Sequence, residues 1–148
     1  MPKVTGILET CLYADDLART AQFYRDLFGF PTMVEDARLI SFAVTRQDVL
    51  ILFRRGASLD GAHTPFGPVP PHDSSGPAHF AFSIEFADLE TWRAHLAAHG
   101  VAVESETRWP LGGISLYFRD PDGHLVELAT PGVWDFSPLL DQAMANEG

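Results

Sequence analysis

The strongest constraint on this chain is a weak internal repeat, because a duplicated unit sets equivalent residues at equivalent points of a fold. The first copy opens with the extended stretch Ile7-Leu8-Glu9-Thr10-Cys11-Leu12-Tyr13, reaches Asp16-Leu17, and continues at helical spacing to Phe28 and Gly29. The second opens with His79-Phe80-Ala81-Phe82-Ser83-Ile84, reaches Asp88-Leu89, and runs to His99 and Gly100. Asp16 and Asp88 are expected N-caps, since a short carboxylate accepts hydrogen bonds from free amides of a first helical turn. Gly29 and Gly100 suit left-handed C-terminal positions. Between these marks, Leu17, Ala21, Tyr24 and Phe28 form one apolar stripe and Leu89, Trp92 and Leu96 another. Each stripe needs a sheet to cover.

Strand-forming segments follow each helix: Arg38 to Val44 and Val49 to Phe53 in the first copy, then Val101 to Glu104, Ile114 to Phe118 and Leu125 to Ala129 in the second. The Pro and Gly of Arg119-Asp120-Pro121-Asp122-Gly123-His124 favour a tight turn that joins two antiparallel strands, and Thr45 to Asp48 is its counterpart. The elements predict an α+β domain of two repeated modules, each a strand, a helix and further strands. Module one covers about residues 4–55, a linker about 56–77, module two about 78–131, and a C-terminal tail 132–148. The linker is rich in Gly, Pro and Ser and leaves little room for regular structure, and its length suits a lid or rim. The tail, with Trp134, Phe136, Leu139 and Leu140, is expected to pack back on the body or on a second subunit, with residues 146–148 frayed.

Strand alternation points to the chemistry. If Phe80, Phe82 and Ile84 cover the helix, then His79, Ala81 and Ser83 take the opposite, concave face. On the last strand Val126 and Leu128 face the helix, which leaves Leu125, Glu127 and Ala129 concave; Glu9 shares its face with Ile7, Cys11 and Tyr13. Glu9, His79 and Glu127 are thus polar residues in largely apolar strands. A carboxylate there loses hydration, so it takes up a proton or finds a cation. Two carboxylates and an imidazole suit one divalent ion, Zn²⁺, Mn²⁺, Fe²⁺, Ni²⁺ or Co²⁺, with coordination positions left for water or substrate oxygens.

Composition excludes several alternatives. The chain has 20 Asp+Glu against 10 Lys+Arg, a net charge of -10, which repels nucleic-acid phosphates and anionic lipid surfaces. The longest apolar run, Val49 to Phe53, is far too short to span a membrane, and the first residues lack the pattern of an export signal. A lone Cys11 forms no internal disulfide, as expected in a reducing cytoplasm.

Glu9 ahead of Asp16-Leu17, His79 opening the second copy, and Tyr117-Phe118-Arg119-Asp120-Pro121-Asp122-Gly123-His124-Leu125-Val126-Glu127-Leu128 together resemble the vicinal oxygen chelate superfamily, from Gly6 to about Trp134. This superfamily includes glyoxalases, bleomycin-resistance proteins, fosfomycin-modifying enzymes and extradiol dioxygenases. The resemblance implies two βαβββ modules that form a cupped, partly closed mixed sheet with the helices outside. It also implies metal ligands on the first and last strands of each module, which here are Glu9, His79, Glu127 and, for the last strand of module one, Leu52. Leu52 neither binds metal nor takes a proton, so the resemblance to glutathione-dependent glyoxalase I is incomplete. The three-ligand set is closer to the fosfomycin-modifying thiol transferases and hydrolases, although the first ligand there is normally His.

The expected activity is a metal-dependent lyase, isomerase, transferase or related reaction on a small oxygenated molecule. Glu9 or Glu127 would exchange protons as well as hold the metal. Cys11, Tyr117, Arg119 and His72 are the candidate substrate-binding residues; His63, like His72, sits in the linker. A homodimer is the expected oligomer. The alternative is a metal-free binding protein resembling bleomycin-resistance proteins, favoured by the acidic charge and by Trp109, Tyr117 and Trp134.

Overall fold

The computed structural model describes residues 1–139 and divides into two compact units. The first comprises residues 1–78 together with the turn Asp120–His124; the second comprises His79–Arg119 and, of the described residues, 125–139.

In the first unit β1 (Glu9–Ala14) leads into α1 (Leu17–Phe28), β2 (Thr32–Glu35), β3 (Leu39–Ala43) and β4 (Val49–Arg54), followed by a small hairpin of β5 (Ala62–Thr64) and β6 (Gly67–Val69). The sheet order is β1-β4-β3-β2, with β1 and β4 parallel and the other pairs antiparallel. The parallel pair requires a long crossover, which begins with α1. As expected, Asp16 caps α1 by accepting the Arg19 amide at 3.0 Å, and Gly29, at φ 66°, ends it and donates to the Arg25 carbonyl. Thr20, Ala21, Tyr24 and Leu27 are buried on the helix, and Leu12, Ala14, Ile40, Phe42, Leu50 and Leu52 are buried on the sheet. Alternation along β1 and β4 thus puts Leu12, Ala14, Leu50 and Leu52 on one buried face, while Phe53, on the opposite face, is buried as well.

In the second unit β7 (His79–Ser83) is followed by α2 (Leu89–Ala98), β8 (Ser105–Arg108), β9 (Ile114–Arg119) and β10 (Leu125–Ala129), in the sheet order β7-β10-β9-β8. Again the first and last strands run parallel while the others alternate. Leu89 and Leu96 are buried on α2, and Leu116, Phe118, Val126 and Leu128 are buried on the sheet. Where β9 begins, the Gly113 amide donates to the Gly132 carbonyl, and a Cβ on Gly113 would lie 2.5 Å from the Gly132 backbone. Only glycine permits that approach.

The α+β class and two four-stranded mixed sheets agree with expectation, and among the described residues no sheet closes into a barrel. Several details differ. Asp88 does not cap α2: it ends a 3-10 turn over Phe86–Asp88, has helical φ and ψ, and makes no side-chain cap bond. The strand expected over Val101 to Glu104 lies at Ser105–Arg108, where Ser105 pairs with Tyr117. β2, with four exposed residues, lacks the apolar alternation by which strands are recognised. The linker contains the β5–β6 hairpin, built around a tight turn with Gly67 at φ 136°. Trp134, Phe136 and Leu139 are exposed, so their packing on the body is not seen; Leu140 and residues 146–148 lie outside the described residues. No described helix is long and apolar enough to cross a membrane.

Candidate functional site

The polar residues singled out on the second unit do meet. β10 pairs Leu125 with His79 on one side and Arg119 on the other, and pairs Glu127 with Ala81 and Tyr117. His79, Glu127, Tyr117 and Arg119 therefore share one face, as their period of two requires. His79 Nε2 lies 3.1 Å from Glu127 Oε2, and the rings of His79 and Tyr117 have centroids 6.1 Å apart.

Hydrogen bonding fixes the chemistry of the close pair. His79 Nδ1 is 3.0 Å from the Leu125 carbonyl, which only accepts, so Nδ1 carries the proton. In the neutral ring Nε2 then presents its lone pair to a carboxylate oxygen. Two acceptors at this distance repel unless a proton or a cation lies between them. The spacing also suits cis ligands of one metal ion, since donors each about 2.1 Å from a shared ion stand about 3 Å apart. His79 is exposed and reachable, whereas Glu127 is only 6% exposed.

Behind Glu127 stand two residues outside the ligand set expected from the sequence. Ser115 Oγ lies 2.5 Å from Glu127 Oε1, and Trp109 Nε1 donates to Ser115 Oγ at 2.8 Å. Ser115 was detectable in the sequence, because it is a polar residue on the Tyr117 face of an otherwise apolar strand. Trp109 precedes β9 and gives no such periodic signal.

Arg119 is engaged rather than free: its guanidinium donates to both Glu104 carboxylate oxygens, at 2.8 and 3.1 Å. That fork holds the Glu104 carboxyl below its ordinary range and raises Arg119.

On the first unit, Glu9, Cys11 and Tyr13 share the face opposite the core, where their β4 partners are Val49, Ile51 and Phe53. Glu9 is exposed. Burial of its sulfur, and then the Glu9 carboxylate, push the Cys11 thiol up, so it is held as a neutral thiol. His72 Nδ1 lies 2.6 Å from the Tyr13 hydroxyl, and its ring meets Phe53 edge-on at 4.6 Å. The Tyr13 hydroxyl at His72 and the Arg55 guanidinium, which donates to the Ser74 carbonyl, pin this part of the linker to the unit; His63 is exposed in β5.

Register corrects one assignment. His79 pairs with Leu125 and Glu127 lies two residues farther along β10; Glu9 pairs with Val49, so the counterpart of Glu127 is Ile51 and not Leu52. Leu52 is fully buried among the residues that face α1. Ile51, like Leu52, offers neither a metal ligand nor a titratable group.

Asp120, Asp122 and His124 also bring their ligand atoms within 4.8 Å of one another, a spacing open to a cation. Protein donors already occupy them. Asp120 accepts the Tyr24 hydroxyl at 2.8 Å and the amides of Asp122 and His124, while Asp122 accepts the Asp15 amide and the Thr20 hydroxyl. His124 Nδ1 accepts the Ala78 amide at 2.8 Å, so its Nε2 donates to the Tyr13 carbonyl. Burial pushes the Asp120 carboxyl up against the opposing pull of Tyr24, His124 and the amides, and it drives Tyr24 well above its usual value. The cluster is a clasp for α1 and β1.

Comparison with known proteins agrees with the topology. The family model described as Glyoxalase/Bleomycin resistance protein/Dioxygenase superfamily matches residues 6–128. Metallothiol transferase FosB of Bacillus licheniformis is 30% identical over 134 residues, covering 90% of this chain and 80% of that protein. The crystal structure of lactoylglutathione lyase from Agrobacterium tumefaciens superposes with a TM-score of 0.82 at 36% identity, covering 91% of this chain and all of that one. Fosfomycin resistance protein FosX from Mesorhizobium loti shares the fold, with a TM-score of 0.60 at 20% identity over 93% of this chain and 99% of that one. A match across most of the chain, joined to paired β-α-β-β-β units, assigns this protein to the glyoxalase/bleomycin resistance protein/dioxygenase superfamily.

Proposed function

We propose that this protein is a metal-dependent enzyme that binds one divalent ion through Glu9, His79 and Glu127 and acts on a small oxygenated substrate. The supporting observation is the His79–Glu127 pair, whose Nε2 and Oε2 atoms face each other at 3.1 Å while His79 Nδ1 is turned to the Leu125 carbonyl. Glu9 holds on β1 the place that His79 holds on β7, and is contributed by the same chain or by the second copy of a homodimer. When bound, the ion supplies a Lewis acid that polarises adjacent substrate oxygens and stabilises negative charge on them. Around it, Tyr117 offers a phenolic donor beside Glu127, Arg119 a guanidinium held by Glu104, and Cys11 with His72 line the face that Glu9 occupies. Glu9, exposed on β1 whereas Glu127 is buried, is the carboxylate freer to exchange a substrate proton.

The reaction classes named for relatives, thiol transfer for FosB and a lyase for the Agrobacterium protein, both involve a thiol compound. A thiol-bearing cosubstrate is therefore part of this reading. The test is metal analysis of protein purified after growth with Zn²⁺, Mn²⁺, Fe²⁺, Ni²⁺ and Co²⁺. About one ion per active site is expected, lost in Glu127→Ala and His79→Ala. Metal-free protein under every condition, together with tight calorimetric binding of bleomycin, would establish the sequestering function instead.

A further inference from the structure

We infer that Trp109 and Ser115 are positioning residues that lock Glu127 into binding the metal through a single oxygen, Oε2. This rests on the metal reading above and adds a specific role for two residues outside the ligand set.

Donor and acceptor chemistry forces the direction of the chain. The indole Nε1–H only donates, so Ser115 Oγ accepts it at 2.8 Å. The Ser115 hydroxyl hydrogen is then free for Glu127 Oε1, which an ionised carboxylate can only accept, at 2.5 Å. One carboxylate oxygen is thereby occupied from within the fold. The other faces His79 Nε2. The arrangement is rigid at each link: Ser115 is fully buried in β9, pairs with Ala129 and Thr107, and lies beside Trp109 through the turn that the Trp109 amide closes onto the Gly113 carbonyl at 2.8 Å.

Two consequences follow for the ion. A carboxylate unable to pivot cannot take both oxygens to the metal, so a coordination position is kept for substrate. A charge-assisted hydrogen bond from behind also fixes the orientation of the ligand before metal arrives. Ser115→Ala removes both effects, whereas Ser115→Thr keeps the hydroxyl. Trp109→Phe leaves the hydroxyl in place but removes the donor that orients it.

The experiment titrates Zn²⁺ and Co²⁺ into metal-stripped wild type, Ser115→Ala, Ser115→Thr and Trp109→Phe, with each fold checked by circular dichroism. Ser115→Ala is expected to weaken Zn²⁺ binding by about 10- to 100-fold, the range for lost outer-shell partners. Its Co²⁺ visible spectrum should shift toward higher coordination as Glu127 becomes bidentate. Ser115→Thr should restore both values, and Trp109→Phe should fall between, with loss of any metal-induced change in Trp109 fluorescence. Equal metal affinity and identical Co²⁺ spectra in wild type and Ser115→Ala would overturn the inference while leaving the metal reading intact. A wild type that binds neither ion would overturn the inference, and the metal reading falls with it if Mn²⁺, Fe²⁺ and Ni²⁺ also fail to bind.

Discussion

The two units share one strand plan but use their outward faces differently. On the second, the row across β7, β10 and β9 brings together His79, Glu127 and Tyr117, with Ser115 and Trp109 supporting the carboxylate. On the first, the equivalent row contains Glu9 and Cys11 but continues into Val49, Ile51 and Phe53. One half thus supplies a supported pair of donors, and the other supplies a single carboxylate on an apolar wall. Duplication preserved the backbone and the core, where the same alternation buries Leu12, Leu50 and Leu52 in one unit and Val126 and Leu128 in the other. It left the outward positions free to diverge.

The largest expected effect tests that division directly. Glu127→Ala should reduce metal affinity by more than the roughly 100-fold attributed to outer-shell losses. Ile51→Ala, at the equivalent place on the first unit, should leave affinity within about threefold, as judged against effects of that size. Comparable losses in both variants would mean that the units contribute alike.

The helices offer the next contrast. Tyr24 on α1 donates to buried Asp120, whereas Arg93 on α2 donates to the exposed Glu106 on β8 at 2.6 Å. Tyr24→Phe should destabilise the protein by about 2 kcal/mol, the scale of a hydrogen bond to a charged group, as read by urea denaturation at pH 7. Because the folded-state pKa of Asp120 is raised, its ionisation opposes folding, and its stabilising contribution is full below its unfolded value of about 3.9 and lost as pH rises through the folded one. The Tyr24→Phe deficit should accordingly shrink in acid, where a protonated Asp120 no longer calls for the donor.

Capping gives a smaller effect. Asp16→Ala should cost about 1 kcal/mol, while Asp88→Ala should change stability by less than about 0.5 kcal/mol, measured by thermal melts. Smallest is Asp36→Asn. The carboxylate accepts the amides of Arg38 and Leu39, which hold its pKa below the ordinary range. Its benefit is therefore present above the unfolded value and lost as pH falls through the folded one. Allowing for solvent screening, the difference from wild type should be under about 0.5 kcal/mol at pH 7 and vanish in acid.

The same contrast explains what could be read without coordinates. Features carried by periodicity and punctuation were legible: the repeat, the Asp16 cap, the Gly29 stop, and the shared face of His79 on β7 and Glu127 on β10. Asp88 looks identical to Asp16 in sequence, but a preceding 3-10 turn absorbs it into the helix, and nothing local announces that turn. Leu52 was misassigned because a one-residue slip reverses a strand's face, and only the pairing of Glu9 with Val49 sets the register. Trp109 was hidden for a related reason: its partner, Ser115, is reached across a turn rather than along a helix or strand. The placement of Glu9 relative to the other candidate ligands depends on tertiary or quaternary assembly, which strand periodicity does not encode.

The Asp120–His124 clasp carries a consequence for biosynthesis. It bonds residues 96 to 111 positions away in the chain, namely Tyr24, Thr20 and Tyr13. A nascent chain that has emerged only through Ala78 owns every strand of the first unit yet lacks the Asp120 and Asp122 carboxylates that accept from the Tyr24 and Thr20 hydroxyls. The clasp can close only after the Asp-Pro-Asp-Gly-His segment is made, so the last hydrogen bonds of the amino-terminal half depend on sequence translated long after it.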